Sequence, residues 1–184
     1  MGRVIAVLVG SLRKDSFNRK IAEALAASAP PGHSFKFVEI GDLPLFNQDL
    51  EAAPPAPWTR FREEVKAADA VLWATPEYNR SVPGVLKNAL DVGSRPYGHS
   101  VFNGKPAAVI SASMGAVGGF GANHHLRQSL TFLNMPTMPQ PEAYVGAAHT
   151  LFGADGALTN ESTRNFLAQF AGAFAAWIEK HALN

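Results

Sequence analysis

The sequence predicts an α/β chain, a doubly wound five-stranded parallel sheet in the order 2-1-3-4-5 with helices on both faces. Three observations predict it. Strand-like and helix-like segments alternate along the chain. The run at 70–74 is short, continuous and apolar, as a central parallel strand buried on both faces has to be. The three most unusual stretches each follow a strand, and right-handed crossovers in this order place the ends of strands 1, 3 and 4 around one crevice at the chain reversal.

Residues 4–9 give the first strand, and 18–27 a helix stopped by Pro30-Pro31-Gly32. Residues 35–40 read as the second strand. The segment 41–57 is rich in proline and acidic residues and too long for a plain connector, so it is a candidate lid or interface loop. A helix at 58–67, the third strand at 70–74 and a short helix at 85–92 follow. The fourth strand is at 107–111, a helix at 122–133, a weak fifth strand at 143–145, and a closing helix at 162–181. No repeat or low-complexity tail interrupts them.

One domain spanning 1–184 is expected, since 184 residues at 47% hydrophobic and 17% charged suffice for one core and not comfortably for two. The absence of cysteine excludes a disulfide framework, a thiolate nucleophile, a Cys-ligated zinc and dithiol redox chemistry. Electrons, if they move, travel on a bound cofactor. Lys and Arg are scattered and the net charge is +1, which leaves no footprint for nucleic acid. The N-terminal apolar run breaks at Gly10 ahead of Arg13 and Lys14, too early for a signal peptide or a membrane span. A cytoplasmic protein with no membrane partner is expected.

The first unusual stretch, Gly10-Ser11-Leu12-Arg13-Lys14-Asp15-Ser16-Phe17-Asn18, joins strand 1 directly to a helix. The Ser11 and Ser16 hydroxyls, the Arg13 guanidinium and free N–H groups at a positive helix end converge on an anion-sized space, which suits a phosphate. The run has neither dinucleotide nor Walker glycine spacing, and a well-capped turn that binds nothing is the competing reading.

The second stretch is Thr75-Pro76-Glu77-Tyr78-Asn79-Arg80-Ser81-Val82-Pro83-Gly84. Pro76 fixes φ and removes a donor, and the residues after it can offer backbone groups to the edge of a planar heterocycle. Alternatively Glu77 and Asn79 hydrogen-bond their own backbone, and for Glu77 alone that is the better reading. Tyr78 suits packing on a ligand and packing on the protein equally.

The third stretch runs from Ser111 through Ser113, Met114, Gly115, Gly118 and Gly119 to Gly121. Its four glycines let the backbone approach a flat ligand closely. Ser113 followed by Met114-Gly115 nearly fits a nucleophile elbow, which wants glycine where Ser111 stands. An esterase would also need a downstream acid and histidine, and His149 and His181 lie in or beside weak elements.

His124 and His125 are adjacent in a helix, about 100° apart, and cannot chelate one metal; they read as surface or interface residues. His33 and His99 sit in loops with no carboxylate at ligand spacing, so no metal is expected. Trp73 and Trp177 are expected in the core.

Taken together in order, Gly10-Ser11-Leu12-Arg13-Lys14-x-Ser16-Phe17-Asn18, Pro76-Glu77-Tyr78-Asn79 with Ser81-Val82-Pro83-Gly84, and Ser113-Met114-Gly115-x-x-Gly118-Gly119 resemble the NAD(P)H-dependent FMN reductase family, soluble quinone and chromate reductases above all. Asp42-Leu43-Pro44-Leu45, Leu86-Lys87-Asn88-Ala89 with Ser94-Arg95-Pro96, and His125-Leu126-Arg127-Gln128 extend the similarity over most of the chain. The resemblance implies a flavodoxin-like fold with noncovalent FMN, reduced by NADPH or NADH. By that similarity Ser11, Arg13, Ser16, Phe17 and Asn18 cradle the phosphate and ribityl end. Pro76, Glu77, Tyr78 and Asn79 border the isoalloxazine, Ser113 lies beside it, and Gly115, Gly118 and Gly119 match the family's glycine run. It further implies a homodimer or homotetramer whose flavin site the neighbouring subunit completes. Arg95 is then expected on the shared wall, and Arg127 and Glu142 at subunit contacts.

Two departures stand out: Arg80 where a tyrosine is frequent, and Val92-Gly93 where Trp-Leu is often found. Both are expected at the flavin mouth, Arg80 and Arg95 as candidates for contact with NADPH or an anionic acceptor. The reaction implied is ping-pong hydride transfer from a reduced nicotinamide through FMN to quinones, with ferric complexes, chromate and azo dyes as further acceptors and no dedicated acid or base. The alternative is a flavodoxin-type electron carrier without nicotinamide turnover. Such carriers are typically acidic, and the +1 charge favours the enzyme.

Overall fold

The computed structural model describes residues 2–182 and shows one five-stranded parallel sheet in the order β2-β1-β3-β4-β5. Its elements in chain order are β1 (Arg3–Val9), α1 (Phe17–Ala27), β2 (His33–Phe37), α2 (Ala56–Lys66), β3 (Ala70–Thr75), α3 (Gly84–Ser94), β4 (Ala107–Ala112), α4 (Phe120–Phe132), β5 (Ala143–Val145) and α5 (Glu161–His181). Single 3-10 turns sit at Gln48–Leu50 and Ala148–Thr150. This is the flavodoxin-like arrangement, with the chain reversing between β1 and β3.

Alternation along the strands divides the interior in two. Ile5, Val7, Val9, Leu72 and Ile110 face α1 and α5, where Ile21, Leu25, Phe170 and Phe174 cover them. Ala6, Leu8, Val71, Trp73 and Val109 face the layer of α2, α3 and α4, against Trp58, Phe61, Leu86, Leu126 and Leu130. With both faces covered, β3 and β4 are buried at every position, which is why they read as unbroken apolar runs.

Edge strand β2 begins and ends earlier than expected. It pairs His33 through Phe37 with β1, while Val38 and Ile40 are buried in the exit from the strand. Val38 N–H still bonds Val7 O at 3.0 Å, and burial of Val38 and Ile40 carries the strand-like pattern on to 40. His33 therefore opens β2 rather than lying in a loop. Helix α2 starts at Ala56, ahead of the expected 58, with a proline in its first turn where no N–H is needed. The expected lid at 41–57 is pinned. Asn88 accepts from Phe46 N–H at 2.8 Å and donates to the carbonyls of Leu43 and Pro44, and Trp58 Nε1 donates to Pro44 O at 2.9 Å. Trp73 is wholly buried, whereas Trp177 is half-buried, its Nε1 donating to Pro136 O at 2.7 Å. No described helix is long and apolar enough to cross a membrane.

Candidate functional site

Three junctions bring the stretches after β1, β3 and β4 to one end of the sheet. Gly10 lies against the start of the second stretch, where a Cβ would stand 3.3 Å from Pro76 Cδ and 3.0 Å from Leu86 Cδ2. The Glu77 carboxylate reaches the third stretch and accepts from Ala122 N–H at 3.0 Å, capping α4. Asn18 joins the first stretch to the third: Nδ2 donates to Ala112 O at 3.0 Å, and Oδ1 accepts from Ala112 N–H at 3.0 Å.

At the first stretch Ser16 is the N-cap of α1, its buried hydroxyl accepting from Arg19 N–H at 3.2 Å. Among the described residues the N–H groups of Arg13, Lys14 and Phe17 meet no protein acceptor. Ser11 is buried beneath them and Arg13 is exposed, its guanidinium 5.8 Å from the Phe17 ring centre. Phe17 in turn stacks on Phe152 at 6.1 Å. The capped turn and the anion cradle are thus one structure: Ser16 satisfies Arg19 N–H, while the N–H groups of Arg13, Lys14 and Phe17 stay open to an anion.

The second stretch is a two-residue hairpin. Tyr78 and Ser81 exchange both backbone hydrogen bonds, at 3.1 and 3.0 Å, and Asn79 and Arg80 take φ of 52° and 65°. Two positive φ angles define a type I′ turn, which favours Asn-Gly; here arginine occupies the glycine position. Its side chain is 86% exposed, 3.7 Å from Glu77. The hairpin is tied to α4 where Ser81 Oγ meets His125 Nδ1 at 3.0 Å.

In the third stretch the Ser113 hydroxyl donates to Gly115 O at 3.2 Å, and among the described residues it meets no histidine, which removes the esterase reading. Gly118 and Gly119 have φ of 62° and 81° and are buried. A Cβ on Gly118 would stand 2.5 Å from the Tyr144 carbonyl carbon, so packing on β5 accounts for that glycine without a ligand. Gly115 is exposed, and a Cβ there would meet Ser113 Oγ at 3.8 Å, an ordinary contact. The sequence reading missed an apolar rim on these loops: Leu12, Met114, Val117 and Phe120 are each about half exposed or more, as is Tyr78. Apolar residues inside polar, glycine-rich loops were the available signal.

Other expected residues lie apart. Val92-Gly93 does not border the mouth; both residues are buried in the α2–α3–α4 layer. Arg95 follows the C-terminal end of α3, and eleven residues of helix, about 16 Å, separate it from the hairpin end. Its carbonyl is held by Arg62, whose guanidinium also donates to Gly93 O at 3.0 Å and His99 O at 2.8 Å. Burial lowers the pKa of Arg62 against the opposing pull of the Glu51 charge. Arg127 turns inward, donating to Asn123 Oδ1 and Met138 O, both at 2.9 Å, with Nη2 buried and without a partner among the described residues. Burial lowers its pKa against the pull of Tyr144 and Glu142. The Tyr144 hydroxyl lies 2.9 Å from His124 Nε2, and burial, then Glu142, push its pKa up to about 12. Glu142 stands 3.8 Å from His124.

The model of the NADPH-dependent FMN reductase family matches residues 4–150. The chain belongs to that family. It is 62% identical over 176 residues to a quinone reductase of Pseudomonas putida, covering 95% of this chain and 94% of the relative. A 2-hydroxy-1,4-benzoquinone reductase of a Burkholderia species is 48% identical, over 97% of each chain. Among solved structures, the flavoenzyme NAD(P)H:(acceptor) oxidoreductase FerB of Paracoccus denitrificans superposes with a TM-score of 0.92 at 46% identity, covering 98% of this chain and all of that one.

FMN fits what this member of the family offers: unpartnered N–H groups and Arg13 at one end for a dianion, and an apolar rim around a hairpin and a glycine loop at the other for a flat ring. In Asn18, one amide N–H and one lone pair of Oδ1 are taken by Ala112.

Proposed function

We propose that the chain is an FMN-dependent NAD(P)H:quinone oxidoreductase. The observation that carries the reading is the junction of three loops at one end of the sheet in a chain that the reductase family model matches over residues 4–150. Bound FMN supplies the hydride relay between a reduced nicotinamide and the acceptor. The protein's part is to bind and orient, and no acid–base pair is needed.

Ser11, Arg13, Ser16 and the free N–H groups at the start of α1 hold the phosphate, with Phe17 beside the ribityl chain. Residues 76–79 and Ser113 border the ring, and the Gly115 N–H side of the glycine loop lies along it. Among the described residues the N–H groups of Asn79 and Arg80 have no protein acceptor, so the I′ hairpin presents them to an electron-rich ring edge. Arg80, exposed beside them, attracts the phosphates of NADPH and anionic acceptors. An open mouth rimmed by Tyr78, Met114 and Val117 admits planar quinones, and with them ferric complexes, chromate and azo dyes.

The working form is a homodimer or homotetramer in the cytoplasm. A hollow of about 380 Å³ between α3 and α4, lined by Leu90, Ser94, Phe132 and Leu133 among others, offers a face for a second copy, with the Phe132 ring 79% exposed. Arg95 lies on that face and acts in trans, since it cannot reach its own hairpin. Arg127 and Glu142 serve the second contact of a tetramer.

The test is the visible spectrum of the purified protein before and after anaerobic NADPH, followed by steady NADPH oxidation with a soluble quinone. A yellow protein that NADPH bleaches and quinone restores supports the reading. A protein that ignores added FMN, or binds it without oxidising NADPH or NADH, overturns it.

A further inference from the structure

We infer that Asn18 is a positioning residue that braces the phosphate end of the site against its ring end, and that its side chain never touches the cofactor. The inference rests on the flavin reading above.

The register of the sheet shows why the brace is needed. β3 and β4 pair through Thr75 and Ser111, so the next rung would join Pro76 to Ala112. The ladder there would bond Ala112 N–H to Thr75 O and Ala112 O to Glu77 N–H, but the chain turns away after Thr75 into the hairpin. Ser113 spends its N–H on Val145 O and its carbonyl on Ala148 N–H, both on the β5 side. Along a strand these groups alternate sides, so the N–H and C=O of Ala112 point the other way, into the gap that β3 has left. Asn18, 4% exposed, fills that gap and bonds both groups. A planar carboxamide carries one donor side and one acceptor side, as a peptide does, and so stands in for the missing strand residue.

The consequence for the site follows from position. Asn18 is the second residue of α1, whose first-turn N–H groups face the phosphate, and Ala112 immediately precedes Ser113 and the ring loop. One side chain therefore fixes the spacing of two subsites that a single ligand has to span.

The test uses the apoprotein of this 184-residue chain, with Asn18→Asp, which keeps the shape but loses the donor, and Asn18→Ser, which is uncharged and too short. Affinities for FMN and for riboflavin, which lacks the phosphate, are measured by flavin fluorescence quenching below the melting midpoint. A brace predicts that both affinities fall tenfold or more and that their ratio stays within threefold of the unmodified protein's. A fall for FMN with riboflavin unchanged makes Asn18 a phosphate ligand and overturns the inference. A lower melting temperature with both affinities unchanged reduces Asn18 to a fold contact and overturns it equally. If Asn18→Asp does not fold, Asn18→Ser is judged by the same outcomes. Failure of the unmodified chain to bind either flavin instead overturns the functional reading, so the two failures are distinguishable.

Discussion

Gly93 in α3 lies against the Phe102 ring so closely that a Cβ there would stand 2.4 Å from Phe102 Cε2 and 3.2 Å from Phe61 Cε1. Phe102 is also 5.3 Å from Trp73, with every ring fully buried, so nothing nearby yields cheaply. Gly93→Ala gains about 1 kcal/mol of helix propensity and loses about 1–3 kcal/mol to overpacking. The expected result is a lower midpoint in denaturant with FMN affinity unchanged. A midpoint at or above that of the unmodified protein would show that the Phe102 ring moves freely.

The same glycine marks what the sequence left hidden. Ala70 through Ala74 and the Ser16 cap declare themselves, because central strands and helix starts have local signatures, and the order of the strands follows from the alternation. The pair Val92-Gly93 was expected at the mouth because only its neighbours in sequence were visible; its environment is made by Phe61 and Phe102, distant in the chain. The bond from Asn18 to Ala112 is hidden for the same reason, since the two lie 94 residues apart. Glu77 carries a polar residue's usual loop signature but caps another element's helix, which no local pattern encodes.

Arg80 occupies the second turn position of the hairpin at φ 65°, where glycine is at ease and a side chain is strained. Arg80→Gly and Arg80→Ala remove the same charge, but only glycine relieves the backbone. The glycine variant is expected to be more stable than the alanine variant by about 1 kcal/mol. Both are expected to raise KM for NADPH and for anionic acceptors alike while kcat stays level. Equal KM values across all three proteins would detach Arg80 from substrate binding.

Arg13 is exposed above free N–H groups, with no carboxylate within ion-pair distance among the described residues. Removing it with Arg13→Ala leaves the cap and the brace in place. A charge-assisted hydrogen bond to phosphate is worth about 1.5–3 kcal/mol, so FMN affinity is expected to drop tenfold or more. Riboflavin binding should be unmoved and the FMN loss should shrink at high salt, which separates this residue from Asn18 in the same fluorescence assay.

At the opposite end of the sheet, Arg3 meets Glu179 through two hydrogen bonds, at 2.9 and 3.0 Å. Hydrogen bonding to Arg3 is the main reason that Glu179 titrates below the ordinary carboxylate range, and its charge adds to the effect against some desolvation. With the folded pKa depressed, the unfolded chain binds the extra proton first. The contribution of Glu179 is therefore complete above the unfolded value of about 4.3 and disappears as pH falls through the lower folded value. Glu179→Gln should melt earlier than the unmodified protein at neutral pH, and the two melting curves should converge as the buffer is taken from pH 6 toward pH 3. Because the pair is exposed, the gap at neutral pH is expected to be small and to narrow with added salt. A gap that persists unchanged at acid pH would mean that Glu179 acts through packing and not through its charge.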